Sequence, residues 1–146
     1  MPMNMDHIVL NVTDDDRMML FYIEVMEFTP ERLQEYHSGK APFPSVRINT
    51  DTIIDLFPKA LWSQGRNADK GHTNLNHFCI DLDQPDWDRL CQRLKTKGIH
   101  IEQGPVNRWG AHGTGISIYF RDPENNLIEA RYYEQGRTQK PFLLDS

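Results

Sequence analysis

The sequence predicts an α+β fold of two βαβββ modules whose strands form a curved mixed sheet, an open cup with the helices on its outer face. Three observations carry that expectation: the chain repeats itself at about half its length, each half pairs one amphipathic helix with strands of alternating polarity, and a breaker-rich connection separates the halves. In the repeat, Asp6-His7-Ile8-Val9-Leu10-Asn11-Val12 matches Asn76-His77-Phe78-Cys79-Ile80-Asp81-Leu82, and Thr52-Ile53-Ile54-Asp55-Leu56-Phe57 matches Asn126-Leu127-Ile128-Glu129-Ala130-Arg131. The histidines lie 70 residues apart and the carboxylates 74, a difference that one loop insertion explains. No third copy is detectable, so the pattern is a duplication and not a solenoid.

In the first half, residues 7–12 read as a strand with Ile8, Leu10 and Val12 on one face and His7, Val9 and Asn11 on the other. Thr13 and Asp16 suit a helix start, and Met18, Phe21, Tyr22, Val25 and Met26 recur at helical spacing, which predicts a helix over 14–26. Residues 28–36 suit a second strand, an edge or an irregular one because of Pro30. Residues 44–50 and 52–57 make a tight hairpin.

The connection 58–73 marks the module boundary. Residues 76–82 open the second half; Pro85 begins a helix with Trp87, Leu90, Cys91 and Leu94 on its apolar face, ending at Gly98. Residues 99–106 read as a strand and 107–115 as a glycine-rich loop. A last hairpin alternates Ile116, Ile118 and Phe120 with Ser117, Tyr119 and Arg121, turns at Asp122-Pro123-Glu124-Asn125, and returns with Ile128, Ala130 and Tyr132 opposite Leu127, Glu129, Arg131 and Tyr133. The expected organisation is a single domain over 1–146, with modules at 5–58 and 75–134, a linker at 59–74 and a tail at 135–146 whose Pro141-Phe142-Leu143-Leu144 could dock on a neighbour.

At 146 residues the chain is long enough for one domain with a core. A net charge of −5 argues against nucleic acid or an anionic membrane as partner, and the longest apolar run, 18–23, is too short to span a bilayer. The first residues have no basic region followed by an apolar core, so the expected location is cytoplasmic. Cys79 and Cys91 form no C-x-x-C pair and read as reduced, packed thiols.

Glu129 stands mid-strand, where carboxylates are depleted, and reads either as a solvated or Arg-paired glutamate or as a functional group. The repeat favours function. Each half opens on a strand with a histidine and closes on one with a carboxylate, so pairing of the halves lines the cup with His7, Asp55, His77 and Glu129. Two imidazoles and two carboxylates are a coherent set for Fe²⁺, Mn²⁺, Co²⁺, Ni²⁺ or Zn²⁺. Asp55, one methylene shorter than Glu129, could bind through water, and pairing with Arg47 is its competing role. Arg47, Ser117, Tyr119, Arg131 and Tyr133 share the expected cup face as candidates for holding substrate, or as ordinary solvated polarity. His37, His72, His100 and His112 occupy no echoed positions. The spacing of Gly110, Gly113 and Gly115 fits no phosphate loop.

From Asp6 to Tyr133 the chain resembles the vicinal oxygen chelate (glyoxalase, bleomycin-resistance and dioxygenase) superfamily. The resemblance is carried by Asp6-His7-Ile8-Val9-Leu10, Phe21-Tyr22, Gly104-Pro105-Val106, and the segment from Ser117-Ile118-Tyr119-Phe120-Arg121-Asp122-Pro123 through Asn126-Leu127-Ile128-Glu129. It implies paired βαβββ modules, one divalent ion per cup on His7, Asp55, His77 and Glu129, a small-molecule substrate and a homodimer. It also implies a metal-dependent lyase, isomerase or epimerase working through a metal-stabilised enediolate, with Glu129 or Asp55 moving the proton. The alternatives are a thiol transferase opening an epoxide, a metal-free drug-binding protein, or a dioxygenase. Met26-Glu27-Phe28 replaces the usual Leu-Gly-Phe, and Asn125 the usual turn glycine. Asn11 and Lys59 stand where glutathione-dependent members carry Arg and Asn, which speaks against a glutathione thiohemiacetal.

Overall fold

The computed structural model describes residues 5–63 and 75–137. The chain divides into two compact units, Met1–Thr73 and Asn74–Ser146. The architecture is α+β, with one four-stranded mixed sheet in each unit.

In the first unit, β1 (His7–Asn11), β4 (Ile53–Phe57), β3 (Ser45–Arg47) and β2 (Thr29–Glu31) lie side by side in that order. β1 runs parallel to β4 and the other pairings are antiparallel. The parallel pair needs a crossover, and α1 (Asp15–Glu24) begins it. Asp14, and not Thr13, caps this helix by accepting from the Arg17 backbone N–H at 3.1 Å. Met18 and Tyr22 are fully buried with Leu56, Ile54 and Val46 of the sheet, so the helix covers the apolar face. The strand expected over 28–36 is shorter than the sequence suggests. β2 stops at Glu31, Arg32 takes a left-handed φ of 59°, and α2 (Leu33–His37) follows. Pro30 is accommodated because β2 is an edge.

The second unit repeats this order with β5 (Phe78–Asp81), β8 (Leu127–Tyr132), β7 (Gly113–Arg121) and β6 (Gln103–Gly110). Its helix α4 (Gln84–Thr96) buries Trp87, Leu90 and Leu94 against Ile118, Phe120, Ile128 and Ala130. Trp87 Nε1 donates to the Ala130 carbonyl at 2.9 Å, pinning helix to sheet. The stretch expected to be a glycine-rich loop is mostly strand: β6 runs to Gly110, two residues turn the chain, and β7 starts at Gly113, whose φ of 98° suits glycine. The other turn is as expected. Asp122 Oδ1 accepts the backbone N–H groups of Glu124 and Asn126, and Asn125 adopts a φ of 75°.

The duplication extends to an ion pair. Arg47 Nε donates to Glu31 Oε1 at 2.8 Å and its Nη1 to the Thr50 carbonyl, while Arg121, 74 residues later, binds Glu102 Oε1 at 2.6 Å and the Asn125 carbonyl. Each arginine ties a hairpin turn to an edge. The position after the first helix is Glu27, held at a φ of 58°, where the second unit has Gly98 at 69°. α3 (Lys59–Trp62) occupies the start of the expected linker. The rest of the linker, His72 and the Pro141 to Leu144 segment lie outside the described residues. Among the described residues, no helix is long and apolar enough to cross a membrane.

Candidate functional site

Strand alternation puts the polar residues of each sheet on the face turned away from its helix. In the second unit, register aligns Cys79, Glu129 and Tyr119 across three strands, with Asp81, Arg131 and Ser117 in the next such row. Glu129 is only 3% exposed, and its carboxylate is enclosed by donors. Tyr119 donates its hydroxyl to Oε1 at 2.6 Å. Oε2 accepts from Ser117 Oγ at 3.0 Å, Arg131 Nε at 3.1 Å, Arg131 Nη2, and Cys79 Sγ at 3.3 Å. Burial alone pushes this carboxyl up, but the hydrogen bonds from Tyr119, Arg131, Cys79 and Ser117 outweigh it and hold the pKa at about 2. The group is therefore a fixed anion.

Arg131 is itself 4% exposed and fully engaged. Nη1 donates to the Arg108 carbonyl at 3.2 Å and the Tyr133 hydroxyl at 3.4 Å, and Nη2 to the Trp109 carbonyl at 3.0 Å. With Nε and Nη2 also on Glu129, all five N–H donors of a guanidinium are committed. Gly110 makes room for this arrangement, since a Cβ there would lie 1.9 Å from Nη1. Burial, then the neighbouring Glu129 charge, lift the Cys79 thiol to about 12, so it is a hydrogen-bond donor and not a thiolate nucleophile.

His77 immediately precedes β5. Its Nδ1 donates to Asn76 Oδ1 at 2.7 Å, which leaves the lone pair of the neutral ring on Nε2, and Nε2 lies 3.3 Å from Glu129 Oε1. Two lone pairs facing each other at that distance call for a positive species between them, a proton or a metal ion. Imidazole nitrogen and carboxylate oxygen are both donor types that a borderline divalent ion takes, and these two residues would be the ones to hold it here. A cavity of about 280 Å³ opens beside this pair, bounded by Cys79, Asp81, His112 and Tyr133. On its other side, His77 borders a second cavity, of about 570 Å³, with Asn76, Gln103 and Tyr119.

The first unit carries a simpler version of the same row. Val9, Asp55 and Ser45 align across β1, β4 and β3. Asp55 is 7% exposed and accepts from Ser45 Oγ at 2.6 Å. His7 Nδ1 donates to Asp6 Oδ1 at 2.6 Å, a bond that raises the imidazole above the ordinary histidine pKa. In both units, then, a histidine two residues ahead of the carboxylate's cross-strand neighbour is oriented through Nδ1 by the residue before it. Arg47 is not the partner of Asp55. It faces Ile53 in register and spends Nε on Glu31.

Ser117, Tyr119, Arg131 and Tyr133, expected to share a face with Glu129, do so, and Ser117, Tyr119 and Arg131 bond it directly. Sequence reasoning missed Cys79 as a donor to Glu129, the seating role of Gly110, and the orienting role of Asp6 and Asn76. The last was visible in principle, because the Asx-His dipeptide is itself duplicated. Among the described residues, no group of three or more His, Cys, Asp or Glu side chains is gathered closely enough to hold a metal ion; His77 and Glu129 make a pair.

The fold agrees with comparisons to known proteins. The chain belongs to the Glyoxalase/Bleomycin resistance protein/Dioxygenase superfamily, whose model matches residues 4–130. It is 34% identical over 129 residues to the virulence protein STM3117 of Salmonella typhimurium, covering 88% of this chain and 83% of that one. The crystal structure of that protein is matched with a TM-score of 0.72 at 29% identity, over 91% of this chain and 98% of the other. The glyoxalase domain-containing protein RDO1 of Mycosarcoma maydis is 32% identical over 139 residues, 92% of this chain and 70% of that protein. An integron cassette protein from the mobile metagenome of V. cholerae is matched with a TM-score of 0.72 at 26% identity, over 92% of this chain and 98% of that one.

Proposed function

We propose that this chain is a divalent-metal-dependent vicinal oxygen chelate enzyme, acting on a small oxygenated substrate by lyase, isomerase or epimerase chemistry. The observation that supports it is the facing of His77 Nε2 and Glu129 Oε1 at 3.3 Å, with Nδ1 of the ring already committed to Asn76. The residues proposed to hold the ion are His77 and Glu129 in the second unit, with His7 and Asp55 the corresponding pair in the first. More distant relatives bear the names lactoylglutathione lyase and fosfomycin resistance protein. When bound, a divalent ion acts as a Lewis acid toward two neighbouring substrate oxygens.

The side chains divide the remaining work. Glu129 has Oε2 anchored in donors and Oε1 shared between the Tyr119 hydroxyl and His77, and a carboxylate with a pKa of about 2 suits a ligand better than a base. Asp55, bonded to the single hydroxyl of Ser45, is the other carboxylate proposed for the acid/base role. The 280 Å³ cavity receives the body of the substrate, with Tyr133 and His112 forming an aromatic wall at a ring separation of 5.4 Å.

Metal content tests this reading. Protein incubated with Fe²⁺, Mn²⁺, Ni²⁺ or Zn²⁺ and freed of excess should retain near-stoichiometric ion by elemental analysis, and His77→Ala should lose it while keeping its circular dichroism spectrum. Wild-type protein that retains none of the four leaves a proton as the occupant and removes the proposal.

A further inference from the structure

We propose that the 280 Å³ cavity beside Glu129 selects a cationic ligand, an organic ammonium carried on an aromatic or apolar body, and that Asp81 is the carboxylate that pairs with it. This rests on the reading of that cavity as the place of the substrate's body, and it involves no ion.

The charges in the lining decide the sign. Glu129 and Arg131 both border the cavity but cancel each other, and the guanidinium has every N–H committed to Glu129, to Tyr133 and to the Arg108 and Trp109 carbonyls. An anionic group on a ligand therefore finds no arginine donor left to meet it. Asp81 is different. Its Oδ2 accepts from Arg137 Nε, and among the described residues nothing bonds Oδ1. The lining thus holds one carboxylate whose charge is not answered within it.

Arg137 shows what chemistry fits there. A turn after β8, in which the Gly136 N–H donates to the Tyr133 carbonyl at 3.0 Å, brings this guanidinium back onto Asp81. The arginine side chain is 57% exposed, and ion pairs so placed hold weakly, so a ligand ammonium shares or takes over the carboxylate at small cost. The same lining supplies aromatic faces in Tyr133, His112 and Trp109, which suit an apolar body or the flank of a cation. Unit charges about 4 Å apart attract by roughly a factor of six in binding at the dielectric constant of water, and by more where solvent is partly excluded.

Three ligands that share one ring test this: 2-phenylethylammonium, 2-phenylethanol and 3-phenylpropionate, each titrated calorimetrically into the full chain at low ionic strength with no metal added. The ammonium is expected to bind at least about fivefold more tightly than the alcohol, and the carboxylate more weakly than the alcohol. Asp81→Asn should bring the ammonium down to the level of the alcohol, while Arg137→Gln should bind it as tightly as wild type or up to about fivefold tighter. Wild-type protein that binds the alcohol or the carboxylate as well as the ammonium overturns the proposal, and that comparison needs no variant to fold. Undiminished ammonium binding in Asp81→Asn, or weaker binding in Arg137→Gln, overturns it as well. If none of the three binds, the assignment of this cavity to the substrate falls with the proposal; if all three bind alike, the cavity stands and only its charge selectivity falls.

Discussion

Substituting Gly110 by alanine sets two physical expectations against each other. Gly110 has no positive φ, and at such a position alanine normally stabilises a protein by about 0.4–1 kcal/mol through the unfolded chain. The native packing demands the reverse. A Cβ at residue 110 falls 1.9 Å from Arg131 Nη1, 2.7 Å from its Cζ and 2.6 Å from the Tyr133 hydroxyl. Non-bonded heavy atoms settle at roughly 3.5–4.0 Å, so the guanidinium must retreat by about 1.5 Å. That breaks the Nη1 bonds to the Arg108 carbonyl and Tyr133 and strains those to Glu129. Overpacking costs about 1–3 kcal/mol and each hydrogen bond to a charged group about 1.5–3 kcal/mol. With partial relaxation and the alanine gain offset, the net destabilisation is about 2–4 kcal/mol, a fall in melting temperature on the order of 5–15 °C for a chain of this size. Urea denaturation followed by tryptophan fluorescence measures it. A Gly110→Ala protein as stable as wild type would refute the reasoning. The double variant Gly110→Ala/Arg131→Gln should lose less than the two singles added, since the clashing group is gone.

Other consequences are open to simpler assays. Trp87 is 6% exposed and bonded to the Ala130 carbonyl, so Trp87→Ala should cost about 3–5 kcal/mol in denaturant unfolding and Trp87→Phe distinctly less; equal losses would mean that ring volume contributes nothing. Burial, aided by its hydrogen bond to Asp15, pushes Tyr36 up to about 12. Because the folded pKa lies above the unfolded value of about 10, its contribution is complete below pH ~10 and is lost as pH rises toward 12. Subtracting the phenolate absorbance titration of Tyr36→Phe from that of wild type should reveal this late ionisation, and a difference titration centred near pH 10 would contradict it.

Much of the fold was legible because its signals are local. Alternation with period two assigns Glu129, Arg131 and Tyr133 to one face of a strand, whatever lies across from it. The reading failed where a partner strand or a turn decides. Arg47 was a candidate partner for Asp55, yet Ile48 N–H closes the turn on the Thr52 carbonyl at 3.0 Å, and counting outward from that bond sets Ser45 opposite Asp55. The glycines at 110, 113 and 115 looked like a loop. In fact a two-residue turn suffices, and Gly110 and Gly115 serve close approach to residues of β8 and to Tyr133.

By itself the sequence determined the duplicated topology, the helix that covers each sheet, and the histidine and carboxylate at matching places in each half. Those features follow from repeat and periodicity, which are properties of the chain alone. Only the tertiary structure decided that Glu129 is a neutralised anion gripped from four side chains, that Nδ1 of each histidine is spent on its neighbour, and that Arg131 has no donor left for a ligand. The bonds from Ser117, Tyr119 and Cys79 to Glu129, and from Arg131 to the Arg108 and Trp109 carbonyls, depend on which strands lie adjacent and in what register, and a shift of two residues along one strand would give these groups different partners, whereas the histidine bonds are to the preceding residue.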